Sequence, residues 1–317
     1  MAETFLRGAI GAGLGIDAGG SGTEWLLLGA DGTRLGQGRV AGITGHLFSA
    51  AGTVTAEGHL SLERLGQLLQ SARAAGEMQA VVLGAAGLSP RSPAAEYFAA
   101  FIQERLGLHE RQVRVVHDLH IAYRANFRPG EGALVYGGTG SIAYHLKEHG
   151  GELRVGGHGY LIDDAGSGYA IGRAALACVL RWHDELGQPA DNALAEEVYR
   201  QLGTSSWPEI REIIYRGGRS RVAALVPAVK AALAHCDEAA AQIVGEAGAE
   251  LARLGRVTLK RAGKPLPVAL AGGVTNLGKP LQAAFRAGLP DIEVRTSNRE
   301  PVEGAARLAL EFSNESS

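Results

Sequence analysis

The residues best suited to chemistry in this chain sit at the ends of short apolar runs. Asp17-Ala18-Gly19-Gly20-Ser21-Gly22-Thr23 lies between an apolar run at 13–16 and another at 25–28. Glycines free successive backbone N–H groups to line an anion-binding concavity, and the hydroxyls of Ser21 and Thr23 add donors. Asp17, at the strand end, has the chemistry to hold Mg²⁺ through water. The same turn also reads as a tight hairpin whose glycines serve geometry alone. A second turn of this kind, Gly138-Thr139-Gly140-Ser141, separates 133–136 from 142–146. Two such hairpins from duplicated halves can clamp one polyphosphate. Neither is a Walker A loop, because GxxxxGK[ST] does not occur. Neither is a Rossmann fingerprint, because a strand rather than a helix follows each turn.

Asp118 follows the run 113–116 through His117. A carboxylate at the C-terminal end of a strand lies where α/β sheets bind ligands. There it can accept a proton from a hydroxyl nucleophile. It can equally cap a helix starting at Leu119, and the two roles are compatible. His117 and His120 form an HxxH pair without a third ligand, so a histidine metal site is not expected. Residues 156–169 combine several glycines with Asp163, Asp164, Tyr160 and Tyr169 ahead of a helix. A helix N-terminus behind a polar turn suits hydroxyl-rich or anionic ligands; a loop with an Asp cap is the plainer reading. Gly272-Gly273 after a strand can let a planar base lie against bare backbone, or can be a simple left-handed turn. Cys178, within an apolar helical stretch, reads as core packing.

These residues need a scaffold that presents strand ends. Residues 13–40 read as three strands with tight turns, Asp31-Gly32 being a hairpin signal. Residues 60–75 read as a helix with Leu62, Leu65, Leu68 and Leu69 on one face. Residues 80–84 form a buried strand. Ser92 and Pro93 open a helix striped by Tyr97, Phe98, Phe101 and Ile102. The strand–turn–strand pattern then restarts at 133, about 120 residues after its first copy, which reads as a structural duplication. Most of 168–262 reads as helical, broken near Gly187, Trp207-Pro208 and Gly217-Gly218. A strand at 267–271, a helix at 281–287, a strand at 292–294 and a closing helix at 301–312 follow. The tail 313–317 is polar and reads as frayed.

Composition limits the function classes. At 317 residues the chain exceeds the roughly 250–300 at which one core stops growing, so two domains are expected. Hydrophobic residues at 46% and charged ones at 20% exclude a disordered chain. The formal charge of −2 carries no footprint for nucleic acid. Glycine, 46 residues without a three-residue period, excludes collagen and points to backbone near a ligand or to positive φ. Two cysteines, Cys178 and Cys236, form no disulfide framework and fit a reducing cytoplasm. No run reaches the 18 apolar residues of a membrane span, and no signal peptide is apparent.

Taken in order, GIDAGGSGT (15–23), VHDLHIAY (116–123), GGTGS (137–141), GGHGYLIDDAGSGYAIG (156–172), AGGV (271–274) and PVEGAARLA (301–309) resemble the sugar-kinase/Hsp70/actin superfamily. Within it they resemble the BadF/BadG/BcrA/BcrD-type ATPase family and its N-acetylglucosamine and glucosamine kinases. The resemblance implies an α/β protein of two ribonuclease-H-like domains with an interdomain cleft. They would span 10–126, completed by the helix 301–312, and 127–300 with a helical insertion. It implies ATP with Mg²⁺, transfer of the γ-phosphoryl group to the 6-hydroxyl of an amino sugar, and a homodimer without nucleic-acid or membrane partners. Asp17 would hold the metal. Gly19, Gly20, Ser21, Gly22 and Thr23 match the first phosphate motif, and Gly138, Thr139, Gly140 and Ser141 the second. Gly272 and Gly273 match the adenosine motif, and Asp118 the catalytic base. Thr44, Gly45, His46, Gly157 and Asp164, with Asp118, would bind the sugar. Three positions depart from animal N-acetylglucosamine kinases: Gly45 and Ile142 stand where those have Asn, and Ala165 where an acidic or amide residue is usual.

Two other classes compete. An activator ATPase of a CoA-linked dehydratase or reductase would need thiolates for an interfacial iron–sulfur cluster. Cys178 and Cys236, both read in helical runs, argue against it. A non-enzymatic sugar sensor would need no base, which Asp118 disfavours.

Overall fold

The computed structural model describes residues 11–20, 22–49, 52–89 and 91–315. Its first elements are β1 (Ala12–Gly19), β2 (Gly22–Leu28), β3 (Arg34–Val40), α1 (Ala56–Ala75), β4 (Met78–Ala85), α2 (Pro93–Leu106), β5 (Val113–His117) and α3 (Asp118–Asn126). The hairpins β1–β2 and β2–β3 are antiparallel, while β4 and β5 add in parallel, giving the order β3-β2-β1-β4-β5. Parallel strands need helical crossovers, and α1 and α2 supply them. Helix α1 starts earlier than its apolar stripe, because Thr55 caps it by accepting from the Gly58 N–H at 2.9 Å.

The pattern then repeats with β6 (Ala133–Gly137), β7 (Ser141–Leu146) and β8 (Glu152–Gly156). Five helices follow: α4 (Gly168–Leu186), α5 (Ala193–Leu202), α6 (Trp207–Ala223), α7 (Val226–Ala234) and α8 (Glu238–Ala262). The chain closes through β9 (Val268–Ala271), α9 (Lys279–Ala287), β10 (Val294–Thr296) and α10 (Pro301–Glu315). The second sheet, β10-β9-β6-β7-β8, has the connectivity of the first: an antiparallel meander of three strands extended in parallel from its first member. The duplication expected from the two glycine turns, and the two-domain α/β fold of ribonuclease-H-like topology that the family resemblance implies, are therefore present.

The chain forms two compact units, Met1–Arg128 with Arg299–Ser317, and Pro129–Asn298. Each has its own core. In the first, Leu14, Ile16, Leu27, Leu65, Leu68, Val81, Leu83 and Phe98 pack on one sheet face. On the other face Ile121, Ala305, Ala309 and Phe312 form one cluster and Leu26, Leu28, Val302 and Ala306 another. Helix α10 thus returns from the far end of the chain to cover β1. It lies unusually close, because a Cβ on Gly15 would stand 2.2 Å from the Ala306 nitrogen, and one on Gly304 would stand 2.0 Å from the Ile121 carbonyl oxygen. Part of the glycine excess thus serves helix packing, a cause beyond ligand approach and positive φ. The second unit centres on α8 and α4 against β6 and β9.

Several local readings are refined or corrected. The break near Trp207-Pro208 is the gap between α5 and α6, which Trp207 opens with Pro at its first turn, and the break at Gly217-Gly218 is a kink inside α6 at Gly218, at φ 56°. The last strand is Val294–Thr296 rather than 292–294. Cys236 is not in a helix but in the exposed turn between α7 and α8, at φ 57°. No described helix is long and apolar enough to cross a membrane.

Candidate active site

In the first unit the C-terminal ends of the parallel strands gather the candidate residues. Asp17 on β1 is registered with Gly84 on β4, and Ala85 with His117 on β5, so Asp118 follows one strand over. Burial, the Asp118 carboxylate and the Glu24 carboxylate, in that order, push the Asp17 carboxyl from 3.8 up to about 7. Asp118 is the first residue of α3, and its Oδ1 accepts from the Leu119 N–H at 2.9 Å. It is not the cap. That role belongs to buried His117, whose Nδ1 accepts from the His120 N–H at 3.1 Å. The HxxH pair is therefore a helix start, and the Asp118 side chain is not needed to cap it.

The first glycine turn joins β1 to β2 through the Gly19–Gly22 pair. Gly20 is exposed, Gly19 and Gly22 half-buried; Ser21 lies outside the described residues. Thr23 is fully buried, and its Oγ1 accepts from the Ile43 N–H at 3.0 Å, so the hydroxyl ties the following loop to the turn. That loop runs tight against the turn, for a Cβ on Gly42 would stand 2.2 Å from the Gly20 carbonyl oxygen. It delivers Thr44, Gly45 and His46 to the same end of the sheet. The Thr44 N–H donates to Ser61 Oγ at 3.2 Å, and the His46 N–H to Thr44 Oγ1 at 3.1 Å. Gly45 is buried against the Ala86 carbonyl and Leu88, where a side chain does not fit, and the exposed His46 imidazole sits beside Gly87.

In the second unit the turn 137–141 is bound to the start of α4. The Gly168 and Tyr169 N–H groups donate to the Gly138 and Thr139 carbonyls at 2.8 and 3.2 Å. Ser167 caps α4 by accepting from the Ala170 N–H at 3.1 Å. This corrects two expectations. The cap is Ser167 rather than an Asp, and these helix N–H groups are satisfied within the protein rather than offered to an anion. Ser141 is buried and donates from Oγ to the Ala165 carbonyl at 2.7 Å, which anchors the loop ahead of α4. Asp164 in that loop is 3% exposed, adopts φ 60°, and lies against Gly140, where a Cβ would stand 2.9 Å from Oδ2. Gly157, at φ 71°, packs on Ile142. Gly272 has φ 92°, and a Cβ there would stand 2.5 Å from the Gly137 carbonyl oxygen. Gly273, the next residue, faces open space and begins a 3₁₀ turn, Gly273–Leu277.

The profile of the BadF/BadG/BcrA/BcrD ATPase family matches residues 14–309. The chain belongs to that family. A relative from Clostridium acetobutylicum named N-acetylmuramic acid/N-acetylglucosamine kinase is 30% identical over 259 residues, covering 79% of this chain and 82% of its own. Among solved structures, a Chromobacterium violaceum protein provisionally described as an N-acetylglucosamine kinase is 24% identical, with a TM-score of 0.71 over 96% of this chain and 99% of its own. A Streptomyces griseus ROK-family glucokinase solved with glucose and AMPPNP is 19% identical, with a TM-score of 0.61 over 95% of this chain and all of its own (100%). At these identities the two structures establish the fold. The residues matched by the family run through both units.

Proposed function

We propose that the protein is an ATP-dependent amino-sugar kinase that moves the γ-phosphoryl group of ATP to the 6-hydroxyl of its sugar. The observation that carries this reading is Asp17 near the end of β1 and Asp118 directly after β5, at the C-terminal ends of the parallel strands of one mixed sheet, with a glycine turn directly after Asp17. The name of the Clostridium acetobutylicum relative, N-acetylmuramic acid/N-acetylglucosamine kinase, supports N-acetylglucosamine as the acceptor; glucosamine or another amino sugar ranks second.

In this mechanism Asp118 accepts the proton of the 6-hydroxyl as that oxygen bonds to the γ-phosphorus. The bond from the γ-phosphorus to the bridging oxygen breaks, and ADP leaves. Gly19, Gly20, Ser21 and Gly22 bind phosphate through backbone N–H groups and the Ser21 hydroxyl, and Thr139 and Gly140 serve the same chemistry in the second turn. Gly138 and Ser141 shape that turn, the Gly138 N–H donating to the Gly140 carbonyl at 2.9 Å and the Ser141 hydroxyl to the Ala165 carbonyl. Thr23 acts by position, holding the loop that carries Thr44, Gly45 and His46 toward the sugar. Asp164 and Gly157 serve the sugar from the second unit, and Gly273 receives the adenine, with Gly272 shaping its approach.

The residues fit Mg²⁺. The carboxyl of Asp17 is raised partly by two neighbouring carboxylates, a repulsion that a cation relieves. No group of three or more metal-ligating side chains exists among the described residues. Asp17 would hold the ion through its carboxylate, since Mg²⁺ is usually bound by one or two carboxylates while keeping several waters. When bound, it neutralises charge on the transferring phosphoryl group. A homodimeric state, on the strength of the family resemblance, and a cytoplasmic location, on the strength of the cysteine usage, complete the proposal.

An ATP-coupled assay over N-acetylglucosamine, glucosamine, N-acetylmuramic acid and 6-deoxy-N-acetylglucosamine tests the reading. ADP release stimulated by an amino sugar but not by the 6-deoxy compound is expected. Equal use of the 6-deoxy sugar removes the 6-hydroxyl assignment, and no stimulation by any sugar removes the kinase.

A further inference from the structure

We propose that Arg39 is a phosphate-binding residue of the first glycine turn, a role that rests on the kinase reading above. Arg39 on β3 is registered with Glu24 on β2, and Glu24 with Asp17 on β1. Residues opposite one another in antiparallel strands share a face, so the three form a row leading from Asp17 outward. The guanidinium does not pair with the Glu24 carboxylate across from it. It lies over Gly22 instead, where a Cβ would stand 2.5 Å from Nη2, 2.7 Å from Nε and 3.0 Å from Cζ. Gly22 has no positive φ, so no strained backbone requires glycine there, and the guanidinium lies directly over its bare backbone.

The neighbouring arginines are engaged. Arg34 meets Glu303 at 2.6 Å, and Arg64 meets the Gly42 carbonyl at 2.6 Å and Glu57 at 3.1 Å. No ion pair or hydrogen bond among the described residues occupies the exposed Arg39 guanidinium.

Electrostatics explains why a cation is needed there. Asp17, Glu24 and Asp118 concentrate negative charge at this end of the sheet, which repels an incoming polyphosphate. A planar fork of N–H donors matches phosphate oxygens in pairs, and charge-assisted bonds of this kind are the stronger ones. The Gly20 backbone N–H and the Arg39 guanidinium over Gly22 together make a two-sided seat for one phosphate group.

The test measures ATP and adenosine affinity by calorimetry, with steady-state kinetics, for wild type, Arg39→Ala and Arg39→Lys. Arg39→Ala is expected to weaken ATP binding about 10- to 100-fold, leave adenosine binding and Tm unchanged, and leave the sugar KM within about twofold. Arg39→Lys, which keeps the charge but not the fork, falls between the two. If the wild type phosphorylates its sugar while Arg39→Ala binds ATP as the wild type does, the inference is overturned and the kinase reading stands. If Arg39→Ala raises the sugar KM and spares ATP, Arg39 serves the acceptor and the inference is likewise overturned. A wild type that binds no ATP overturns both.

Discussion

Asp118 and Asp17 divide the labour at one strand end. Because His117 caps α3, the Asp118 carboxylate is released for chemistry, and Asn at 118 keeps an oxygen for the Leu119 N–H. Asp118→Asn is therefore expected to fold normally and to lose about 10²- to 10⁴-fold in kcat, the usual worth of a general base. Steady-state kinetics beside a melting curve checks this; turnover within about fivefold of wild type would send the search for the base to Asp164. Asp17 leads to a stability prediction. Its carboxyl is raised in the folded protein to about 7, above its ordinary 3.8, so the folded state holds a proton that the unfolded state has released between those values. Stability from this group is therefore lost as pH rises from about 4 to 7 and stays lost above. Asp17→Asn should raise the Tm of the nucleotide-free protein at pH 8 and not at pH 4, by an energy of at most a few kcal/mol at about 1.4 kcal/mol per unit. The same variant should lose the Mg²⁺ dependence of ATP binding. An equal Tm change at both pH values would show that the Asp17 charge is not destabilising.

At the scale of elements, neighbouring glycines at the end of β9 serve different ends. Gly272 is held at φ 92° with the Gly137 carbonyl where a side chain would go, whereas Gly273 has open space. Gly272→Val is expected to destabilise the second unit by roughly 2 kcal/mol or more, through backbone strain and collision with β6. Gly273→Val is expected to keep the Tm and weaken ATP binding at least tenfold, because its side chain would fill the space proposed for the base. Denaturant melts and calorimetry on the pair separate the roles, and unchanged ATP affinity in a folded Gly273→Val protein would take that turn out of the nucleotide site. The two phosphate turns also differ in support. The first is braced by the loop at Gly42 and Thr23, the second by the start of α4, whose N–H groups its carbonyls occupy. The second turn's geometry therefore depends on Ser167 keeping α4 in place.

For the whole molecule, the first unit is not a continuous piece of chain. Helix α10 covers β1 and α3 at the close distances set by Gly15 and Gly304, and Ile121, Leu26 and Leu28 have α10 residues as their apolar partners. Removing residues 299–317 is expected to expose that face and unfold the first unit, while a chain of residues 129–298, which holds its own core, melts cooperatively. Circular dichroism of both truncated chains checks this. A first unit that melts like the full chain without α10 would mean that the helix only rests on a sheet already stable.

What the sequence by itself determined is what local pattern and residue type can encode. Glycine–hydroxyl turns between apolar runs at 17–23 and 137–141 specified two hairpins and, by their repetition, a duplicated α/β fold. Asp118 after an apolar run marked a strand end, and the ordered motifs from 15 to 309 carried the family. Tertiary structure alone decided which groups remain available. Ser141 and the first N–H groups of α4 look like ligand donors in sequence and are spent on internal hydrogen bonds, while the Thr23 hydroxyl oxygen accepts from the Ile43 N–H and so ties down the following loop. His117 takes the cap that the pattern left open to Asp118, because the chain enters α3 one residue earlier than the Leu119 start suggested. Gly15 and Gly304 serve a helix that returns from the other end of the chain, and Arg39 reaches Gly22 from the next strand. No local signal marks such contacts, because hydrogen-bond satisfaction and close approach depend on partners distant in sequence, and only the folded chain brings those partners together.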